Sequence, residues 1–402
     1  MKVLQLCIKP PYPPVDGGTM AMAGVTRWLL REGCEVKVLT METDKHPLRA
    51  EQLTASYREA TGIESVYVDL GVKVIPAGVA MLCGESYNVR RYRSEAFAKK
   101  LREVLQTGMF DVVHVESVFL TPYVPLIRKH SQAKVILRAH NVEHLIWRSM
   151  AQSTRRGLRR WYLKHLSLTL RAYEVEHIND YDGVVCITHG DADFFRDNGC
   201  RRPVTVIPFG VESGQCRESG VRCDVEHASV YHIGAMDWMP NQEGVRWLLD
   251  EVWPVVRREV PEARLYLAGR KMPVRWMENV IEGVVVVGEA DDARRFAADK
   301  QICVVPLLSG SGIRVKIIEA MSMGKAVVAT TVAAQGIGYT DGEDILIADT
   351  PEQFAHQIAS LVGDEARCRR IGDAAARLVA DKYDDETLSR RLVQFYQEIM
   401  KR

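Results

Sequence analysis

Short runs of apolar, mostly β-branched residues alternate with longer segments of helical periodicity along the whole chain. This alternation is typical of parallel sheets whose strands are joined by crossover helices. The pattern therefore predicts an α/β fold with two doubly wound parallel sheets, one in each half of the chain. The predicted strands are 2–8, 35–40, 72–77, 111–116, 134–139, 183–188 and 204–208 in the first half, and 228–234, 263–269, 283–288, 302–307, 326–330 and 345–348 in the second.

The length of the chain supports the same division. A single hydrophobic core stops growing at roughly 250–300 residues, and this chain has 402. A polar, Gly- and Ser-bearing stretch at 209–227 separates the two sets of strands. The last segment is an amphipathic helix with Leu388, Leu392, Phe395 and Ile399 on one face, and it comes too late to add a strand. The predicted domains are an N-terminal domain over 1–208, a C-terminal domain over 209–383, and a terminal helix over 384–402.

The bulk properties exclude several classes of protein. The 53 basic and 52 acidic residues leave a formal net charge of +1, which argues against wholesale binding of nucleic acid. The nine cysteines are scattered and form no C-x-x-C pair, which favours a reducing cytoplasm over a disulfide or zinc framework. No apolar run approaches the ~20 residues of a membrane span, and no signal-peptide-like stretch opens the chain. We expect a cytoplasmic protein.

The loop after the first predicted strand reads KPPYPPVDGGTMAMAG. Its prolines prevent helix formation, and Gly17 and Gly18 stand where the next helix begins. A bare backbone at a helix start allows an anion to approach. A strand-to-helix turn that requires positive φ explains the same two glycines. The spacing is not the G-x-G-x-x-G of a dinucleotide site.

A polar cluster, HNVEH, follows the strand predicted at 134–139. It places His140, Asn141 and Glu143 at the carboxyl end of a strand, where open parallel sheets bind their ligands. His140 is either a polar group facing a crevice between the domains or a satisfied loop residue.

The stretch LLSGSGIRVKIIEAMSMGKAVV begins a helix with Arg314 and Lys316, where the helix dipole disfavours cations. An anion bound there would reverse the sign of that interaction. Gly310 and Gly312 free the backbone N–H groups of the preceding turn, so that glycines, helix start and cations together make a diphosphate cradle. Glu319, further along the helix, can accept hydrogen bonds from the two vicinal hydroxyls of a ribose. The alternative is a surface helix with incidental charges.

A basic segment spans residues 144–173. It carries seven Lys or Arg and no Asp or Glu, with Trp147, Trp161 and Tyr162 interleaved. This composition indicates an amphipathic surface suited to anionic lipid or to a phosphorylated substrate. A solvated helix face remains the other interpretation.

Three motifs, taken in their order along the chain, resemble those of a known family. PPYPPVDGGTMAMAGVTRWLLREGCEVKVLT is similar to its amino-terminal glycine loop, helix and second strand. VIPFGVE is similar to its interdomain motif, and VKIIEAMSMGKAVVAT to its donor-domain motif. The family is that of the retaining nucleotide-sugar glycosyltransferases with two Rossmann-like domains facing a central cleft, the GT-B fold. It includes many bacterial "group 1" polysaccharide and glycolipid transferases, and the resemblance covers nearly the whole chain.

The resemblance implies transfer of a sugar from a UDP-, GDP- or similar donor to a glycan or lipid-linked acceptor. The donor would bind in the C-terminal domain and the acceptor in the N-terminal one, and the terminal helix would return to the N-terminal domain. By match of position, Gly18, next to Gly17, would face the donor phosphate and His140 the transferred sugar. Glu319 would bind the ribose, and Arg314 with Lys316 the diphosphate.

The chain departs from the family pattern at one acidic position. The family has E-x7-E, and Ser311 stands where the first Glu would be. The region GAMDWMPNQEG also lacks the usual Arg and Lys, and it resembles a subgroup with GsmdW.PN and GSGtRlK. The backbone N–H groups of the loop are expected to replace the missing Glu, and the residues concerned are Ser309, Gly310, Ser311, Gly312 and Ile313.

The implied chemistry needs neither a metal ion nor another cofactor. Charge develops on the departing β-phosphate, where the cations and oriented N–H groups would stabilise it. The sequence has no D-x-D at a strand end, since DAD at 191–193 lies in a helix-like stretch. We expect a cytoplasmic enzyme, peripheral at the inner face of the membrane. The rival hypotheses are a nucleotide-sugar epimerase or hydrolase on the same fold, and a non-catalytic nucleotide-sugar-binding protein.

Overall fold

The chain divides into two compact units. Unit 1 comprises Met1–Gly210 with Asp385–Arg402, and unit 2 comprises Val211–Asp384. The predicted boundaries were 208/209 and 383/384. The structure, a computed structural model, describes residues 1–71, 78–81, 83–154, 157–211, 225–278, 280–310 and 312–402.

Unit 1 is built on a seven-stranded parallel sheet with the order β3-β2-β1-β4-β5-β6-β7. Its strands are β1 (Lys2–Cys7), β2 (Glu35–Glu42), β3 (Glu64–Tyr67), β4 (Val112–Val115), β5 (Lys134–Ala139), β6 (Gly183–Cys186) and β7 (Val204–Val206). The helices between them are α1 (Gly17–Arg31), α2 (Ala55–Thr61), α3 (Tyr87–Arg90), α4 (Glu95–Thr107), α5 (Val124–His130), α6 (Glu143–Ser153), α7 (Gly157–Glu176) and α8 (His189–Asp197).

Unit 2 repeats this architecture with a six-stranded parallel sheet in the order β10-β9-β8-β11-β12-β13. Its strands are β8 (Ser229–Ile233), β9 (Arg264–Ala268), β10 (Val284–Gly288), β11 (Ile302–Val305), β12 (Ala326–Ala329) and β13 (Leu346–Ile347). Its helices are α9 (Met239–Trp247), α10 (Trp253–Glu259), α11 (Val274–Glu278), α12 (Ala293–Ala298), α13 (Val315–Ser322), α14 (Pro351–Gly363) and α15 (Glu365–Lys382).

The predicted fold class, two parallel α/β sheets, is confirmed. One edge of unit 1 differs from the prediction, because β3 was not predicted. That strand lies at the edge of the sheet, where three of its side chains are half-buried and that of Tyr67 is exposed, so its sequence, ESVY, lacks a strong apolar run. The strand predicted at 72–77 lies outside the described residues.

The last helix, α16 (Asp385–Met400), belongs to unit 1. Its apolar face packs with α1 against the sheet and shares a core with Trp28. The contact is close: a Cβ on Gly183 of β6 would lie 2.9 Å from the Phe395 ring. The apolar residues that α16 contributes to this core are Leu388, Leu392, Phe395, Tyr396 and Ile399.

Candidate functional site

Both sheets reverse their strand order once, between β1 and β4 in unit 1 and between β8 and β11 in unit 2. In open parallel sheets, ligands bind beyond the carboxyl ends of the strands at such a switch point. The candidate site residues follow β1, β5 and β11, so they lie at or beside these points. Each unit is described separately.

In unit 2, the loop between β11 and α13 depends on two glycines. Gly310 has φ +114° and Gly312 has φ +84°, conformations that side-chain-bearing residues rarely adopt. A Cβ on Gly310 would also lie only 2.7 Å from Nη2 of Arg314. The glycines therefore permit both the turn and the close packing of the arginine. Ser311 lies outside the described residues.

The cations predicted at the start of α13 are held in place by neighbouring side chains. Arg314 is the N-cap residue but makes no side-chain cap. Its guanidinium lies 5.2 Å from the centroid of the Trp238 ring, and burial lowers its pKa to about 10. Lys316 donates from Nζ to Oδ1 of Asn241 at 3.0 Å. Burial, reinforced by the like charge of Arg314, lowers the pKa of Lys316 to about 7. A bound anion would raise the pKa values of both Arg314 and Lys316.

The remaining candidate residues in unit 2 are Glu319, Ser309 and Ile313. Within the described part of the chain, no hydrogen bond or ion pair engages the Glu319 carboxylate. Burial raises its pKa, although the cations Arg294 and Lys316 oppose that shift. Ser309 donates from its hydroxyl to Glu243 at 2.9 Å, and Ile313 is half-buried. The ribose and phosphate roles of these residues stay predictions.

The sequence analysis missed three residues that interact with the two cations at the start of α13. Asn241 and Trp238 come from the segment after β8, which adjoins β11 in the sheet. His232 of β8 is fully buried, donates from Nδ1 to the Val304 carbonyl at 2.9 Å, and has its pKa lowered to about 3 by burial and then by Lys316. A histidine inside the apolar run SVYHIG was the available signal, but it does not reveal that β8 lies beside β11.

In unit 1, Gly17 and Gly18 lie in the first turn of α1, and neither has a positive φ. The interpretation that they serve a positive-φ turn is therefore wrong. The helix start is already capped, because Asp16 accepts from the Thr19 N–H at 2.8 Å and Thr19 Oγ1 accepts from the Asp16 N–H at 2.9 Å. Lys9 Nζ lies 2.7 Å from each carboxylate oxygen of Asp16. Anion binding at Gly18 stays a prediction, and a bound anion would share Lys9 with Asp16.

His140 follows β5 and points one ring nitrogen at a buried carboxylate. Its Nε2 lies 2.8 Å from Oε2 of Glu116, a residue with no exposed surface. The other carboxylate oxygen accepts from Gln5 Nε2 at 2.6 Å and lies 3.3 Å from His114 Nε2. Burial alone would raise the pKa of Glu116, but the two histidines hold it far below its usual range. The sequence analysis did not select Glu116, because this residue ends one predicted strand and its partner His140 follows the next predicted strand.

A chain of polar contacts continues from His114 to the terminal helix. The Tyr396 hydroxyl lies 2.5 Å from His114 Nδ1, and burial raises the pKa of the tyrosine well above its usual value, so the hydroxyl keeps its proton. Nε2 of His114 faces Glu116 at 3.3 Å but makes no hydrogen bond among the described residues. Arg138, fully buried beside this chain, has no hydrogen-bond partner among the described residues for its guanidinium nitrogens. Its charge nevertheless interacts favourably with Glu116.

This arrangement sets the chemistry available to His140. Burial lowers its pKa even though Glu116 opposes the shift, which favours the neutral ring. A neutral ring that donates from Nε2 to Glu116 keeps a lone pair on Nδ1. The His140 side chain is 15% exposed.

The described residues contain no group of three or more His, Cys, Asp or Glu placed to hold a metal ion. Among the described helices, none is both long and apolar enough to cross a membrane.

Two parallel α/β units with polar loops gathered at their switch points define the GT-B class of glycosyltransferase folds. The sequence matches agree with this class: residues 15–215 match the family described as Glycosyltransferase Family 4, and residues 227–364 match the one described as Glycosyl transferases group 1. The chain belongs to the group 1 and Family 4 glycosyltransferases, and the predicted resemblance is confirmed at the level of glycosyltransferase family and fold.

Individual relatives are distant. An uncharacterized 44.6 kDa protein in the cps region of Klebsiella pneumoniae is 22% identical over 96% of this chain and 97% of its own length. Among solved structures, sucrose-phosphate synthase from Thermosynechococcus elongatus has a TM-score of 0.70 and 16% identity, with 100% of both chains covered. Anabaena HepE in complex with UDP has a TM-score of 0.69 and 14% identity, covering 99% of this chain and 100% of HepE. A TarM mutant of S. aureus, in a complex that includes UDP, has a TM-score of 0.68 and 12% identity, covering 98% and 100%. These structures share the fold.

Proposed function

We propose that this glycosyltransferase moves a sugar from a nucleoside-diphosphate sugar, UDP- or GDP-linked, to a glycan or lipid-linked acceptor with retention of anomeric configuration. Its pathway would be the synthesis of a bacterial cell-surface polysaccharide or glycolipid. The relative in the Klebsiella cps region supports this assignment, and the HepE complexes with UDP and UDP-glucose support a nucleotide-sugar donor. The enzyme would work in the cytoplasm, peripheral to the inner face of the membrane.

The observation that carries the proposal is the pair of desolvated cations at the start of α13. Arg314 and Lys316 both have lowered pKa values and lie beside a loop whose glycines leave its backbone bare. A diphosphate would compensate both charges at once. With two cations and a helix N-terminus on the leaving group, the proposed reaction needs no metal ion.

In the proposed reaction, the bond between the anomeric carbon and the β-phosphate oxygen breaks while the acceptor hydroxyl oxygen bonds to that carbon. The hydroxyl proton passes to the departing phosphate on the same face of the sugar. Negative charge grows on that phosphate, so each well-placed donor would contribute about 3 kcal/mol to the transition state. His140 would accept a hydrogen bond from the transferred sugar through Nδ1 and so orient it.

The first test is a thermal-shift and calorimetric screen against UDP, GDP, ADP and their sugar conjugates. A ligand at 100 times its Kd adds about 2.7 kcal/mol to the free energy of unfolding. One nucleotide should stand out, and Lys316→Ala should abolish its effect. Lys99→Ala, which removes an exposed lysine from α4, is the matched control.

The outcomes separate the rival functions. If no nucleotide stabilises the protein, or if Lys316→Ala binds normally, the cradle assignment is wrong. Donor turnover without any acceptor would indicate a hydrolase or an epimerase instead. Tight donor binding with no turnover on any acceptor would indicate a binding protein.

A further inference from the structure

A groove with a volume of about 440 Å³ lies between α6 and α7 of unit 1. Four cationic side chains line it, while its nine described lining residues include no Asp or Glu. The four cations are Arg148 from α6, and Arg160, Lys164 and Arg171 from α7.

The cations have little compensation within the protein. Arg171 donates to the side-chain oxygen of Asn198 at 3.2 Å. Within the described part of the chain, no hydrogen bond or ion pair engages Arg148, Arg160 or Lys164. Arg160 and Lys164 are also four residues apart on one helix, a spacing at which like charges destabilise the helix. An arrangement that gathers unpaired like charges around a groove is suited to an anionic ligand.

An apolar stripe runs along the same helix. Leu158 is 88% exposed, Trp161 57% and Leu168 58%. Their spacing of three and seven residues places them on one side of α7, and Leu168 itself lines the groove. Exposed Leu and Trp beside Lys and Arg are typical of helices that lie at a membrane surface. The ligand that fits both features has an anionic head and an apolar body.

We propose that the α6–α7 groove binds a phosphate or diphosphate group carried on a lipid, with the Leu158, Trp161 and Leu168 stripe against the hydrocarbon. Two sources share this chemistry: the headgroup of a bulk membrane phospholipid, and the diphosphate of a lipid-linked acceptor. The second source rests on the proposed function. Helix α6 begins at Glu143, three residues after His140, so the loop that carries His140 leads directly into the groove.

The test is flotation of the full-length protein with phosphatidylcholine vesicles, either alone or containing phosphatidylglycerol or a polyprenyl diphosphate. The groove variant is Arg148→Gln/Lys164→Gln. Its matched control is Arg102→Gln/Lys129→Gln, which removes two exposed cations from α4 and α5 of the same unit. Thermal unfolding checks that each variant is folded.

The wild type should bind at least one kind of anionic vesicle and leave neutral vesicles unbound. The groove variant should bind about 25-fold more weakly, since each cation near an anionic surface contributes about fivefold, and the control should bind like the wild type. Equal losses in the two variants, or no binding of the wild type to either anionic vesicle, would overturn the proposal.

Two further comparisons identify the lipid and separate this inference from the proposed function. Binding to phosphatidylglycerol vesicles identifies a bulk headgroup, whereas binding that needs polyprenyl diphosphate identifies the acceptor. Nucleotide binding is measured on the same preparation without vesicles. If no nucleotide binds but vesicle binding still depends on the groove cations, the donor assignment is wrong and the proposal for the groove stands.

Discussion

Glu116 fixes the hydrogen bonding of one ring nitrogen of His140. The carboxylate engages Nε2 at 2.8 Å, which leaves Nδ1 as the hydrogen-bond acceptor of the neutral ring. His140 could be selected from the sequence because it follows a strand. Its partner could not, because the two residues are joined by the pairing of β4 with β5.

Replacing Glu116 with Gln should therefore lower kcat. The amide keeps the shape but loses the charge that orients His140, and misplacing a catalytic group by a small distance costs about 10- to 100-fold. Affinity for the free nucleotide should change little, because the nucleotide lacks the sugar that His140 would contact and the predicted cradle lies in unit 2. Steady-state kinetics with calorimetry of the nucleotide test this split, with Glu103→Gln, at an exposed position of α4, as the control. An unchanged kcat would show that Glu116 does not position the histidine.

Lys316 should make nucleotide binding dependent on pH. Its pKa of about 7 means that it is mostly neutral in the free protein at pH 8, and a bound diphosphate would raise that pKa. Binding at pH 8 should therefore take up close to one proton, and affinity should fall by up to about tenfold per pH unit above 7. Calorimetry in buffers of different ionisation enthalpy measures the uptake.

Lys316→Arg is the informative variant for this pH dependence, because an arginine stays charged throughout the range. It should bind nucleotide without proton uptake at pH 8. If the wild type takes up no proton under the same conditions, Lys316 is already charged before binding.

At the scale of elements, the helices that begin at or just after the candidate glycines of the two units have different N-termini. Helix α1 starts at an aspartate that completes a capping box, whereas α13 starts at Arg314 without a side-chain cap. Local sequence distinguishes them, since V-D-G-G-T carries its own acceptor and G-I-R-V-K does not. The uncapped helix with cations is the better candidate for binding an external anion.

One buried carboxylate links helix α16 to α1 in addition to their apolar packing. Asp385 accepts from Trp28 Nε1 at 2.8 Å and from Arg27 Nε at 3.0 Å. Asp385→Ala would leave the buried indole N–H without a partner, so the free energy of unfolding should fall by about 2–3 kcal/mol. Urea denaturation measures the change. Asp373→Ala, at an exposed position of α15, should stay within about 0.5 kcal/mol, and an equal loss in both variants would contradict the anchoring role.

At the scale of the whole molecule, the chain leaves unit 1, builds unit 2 and returns to complete unit 1 with its last residues. A chain ending at residue 384 would therefore lack part of the core of unit 1. Burying one large apolar side chain contributes about 1.5–3 kcal/mol, and α16 contributes five, so the loss is comparable with the stability of a whole domain.

We expect hydrogen exchange in β6 of the truncated chain to lose its protection, because Phe395 packs directly on Gly183. Removing only Lys401 and Arg402, which are exposed, should leave the exchange unchanged. Full protection of β6 in the chain that ends at 384 would show that unit 1 folds without α16.

The sequence by itself determined the features that depend on neighbouring residues in the chain. These are the parallel α/β architecture, the amphipathic terminal helix, and the glycines and cations before and at the start of α13, because apolar periodicity, glycine conformation and helix polarity all act over a few residues. The edge strand β3 escaped prediction for the same reason, since a half-buried strand of four residues has too weak a local pattern.

Only the tertiary structure decided which distant residues meet. Gln5 and Glu116 are 111 residues apart but adjacent because β1 pairs with β4, and Asn241 reaches Lys316 because β8 pairs with β11. Tyr396 reaches His114 across 282 residues because α16 returns to unit 1. Strand order and chain return minimise the free energy of the whole fold, and no local pattern encodes them, so the supporting residues of the candidate site became visible only with the structure.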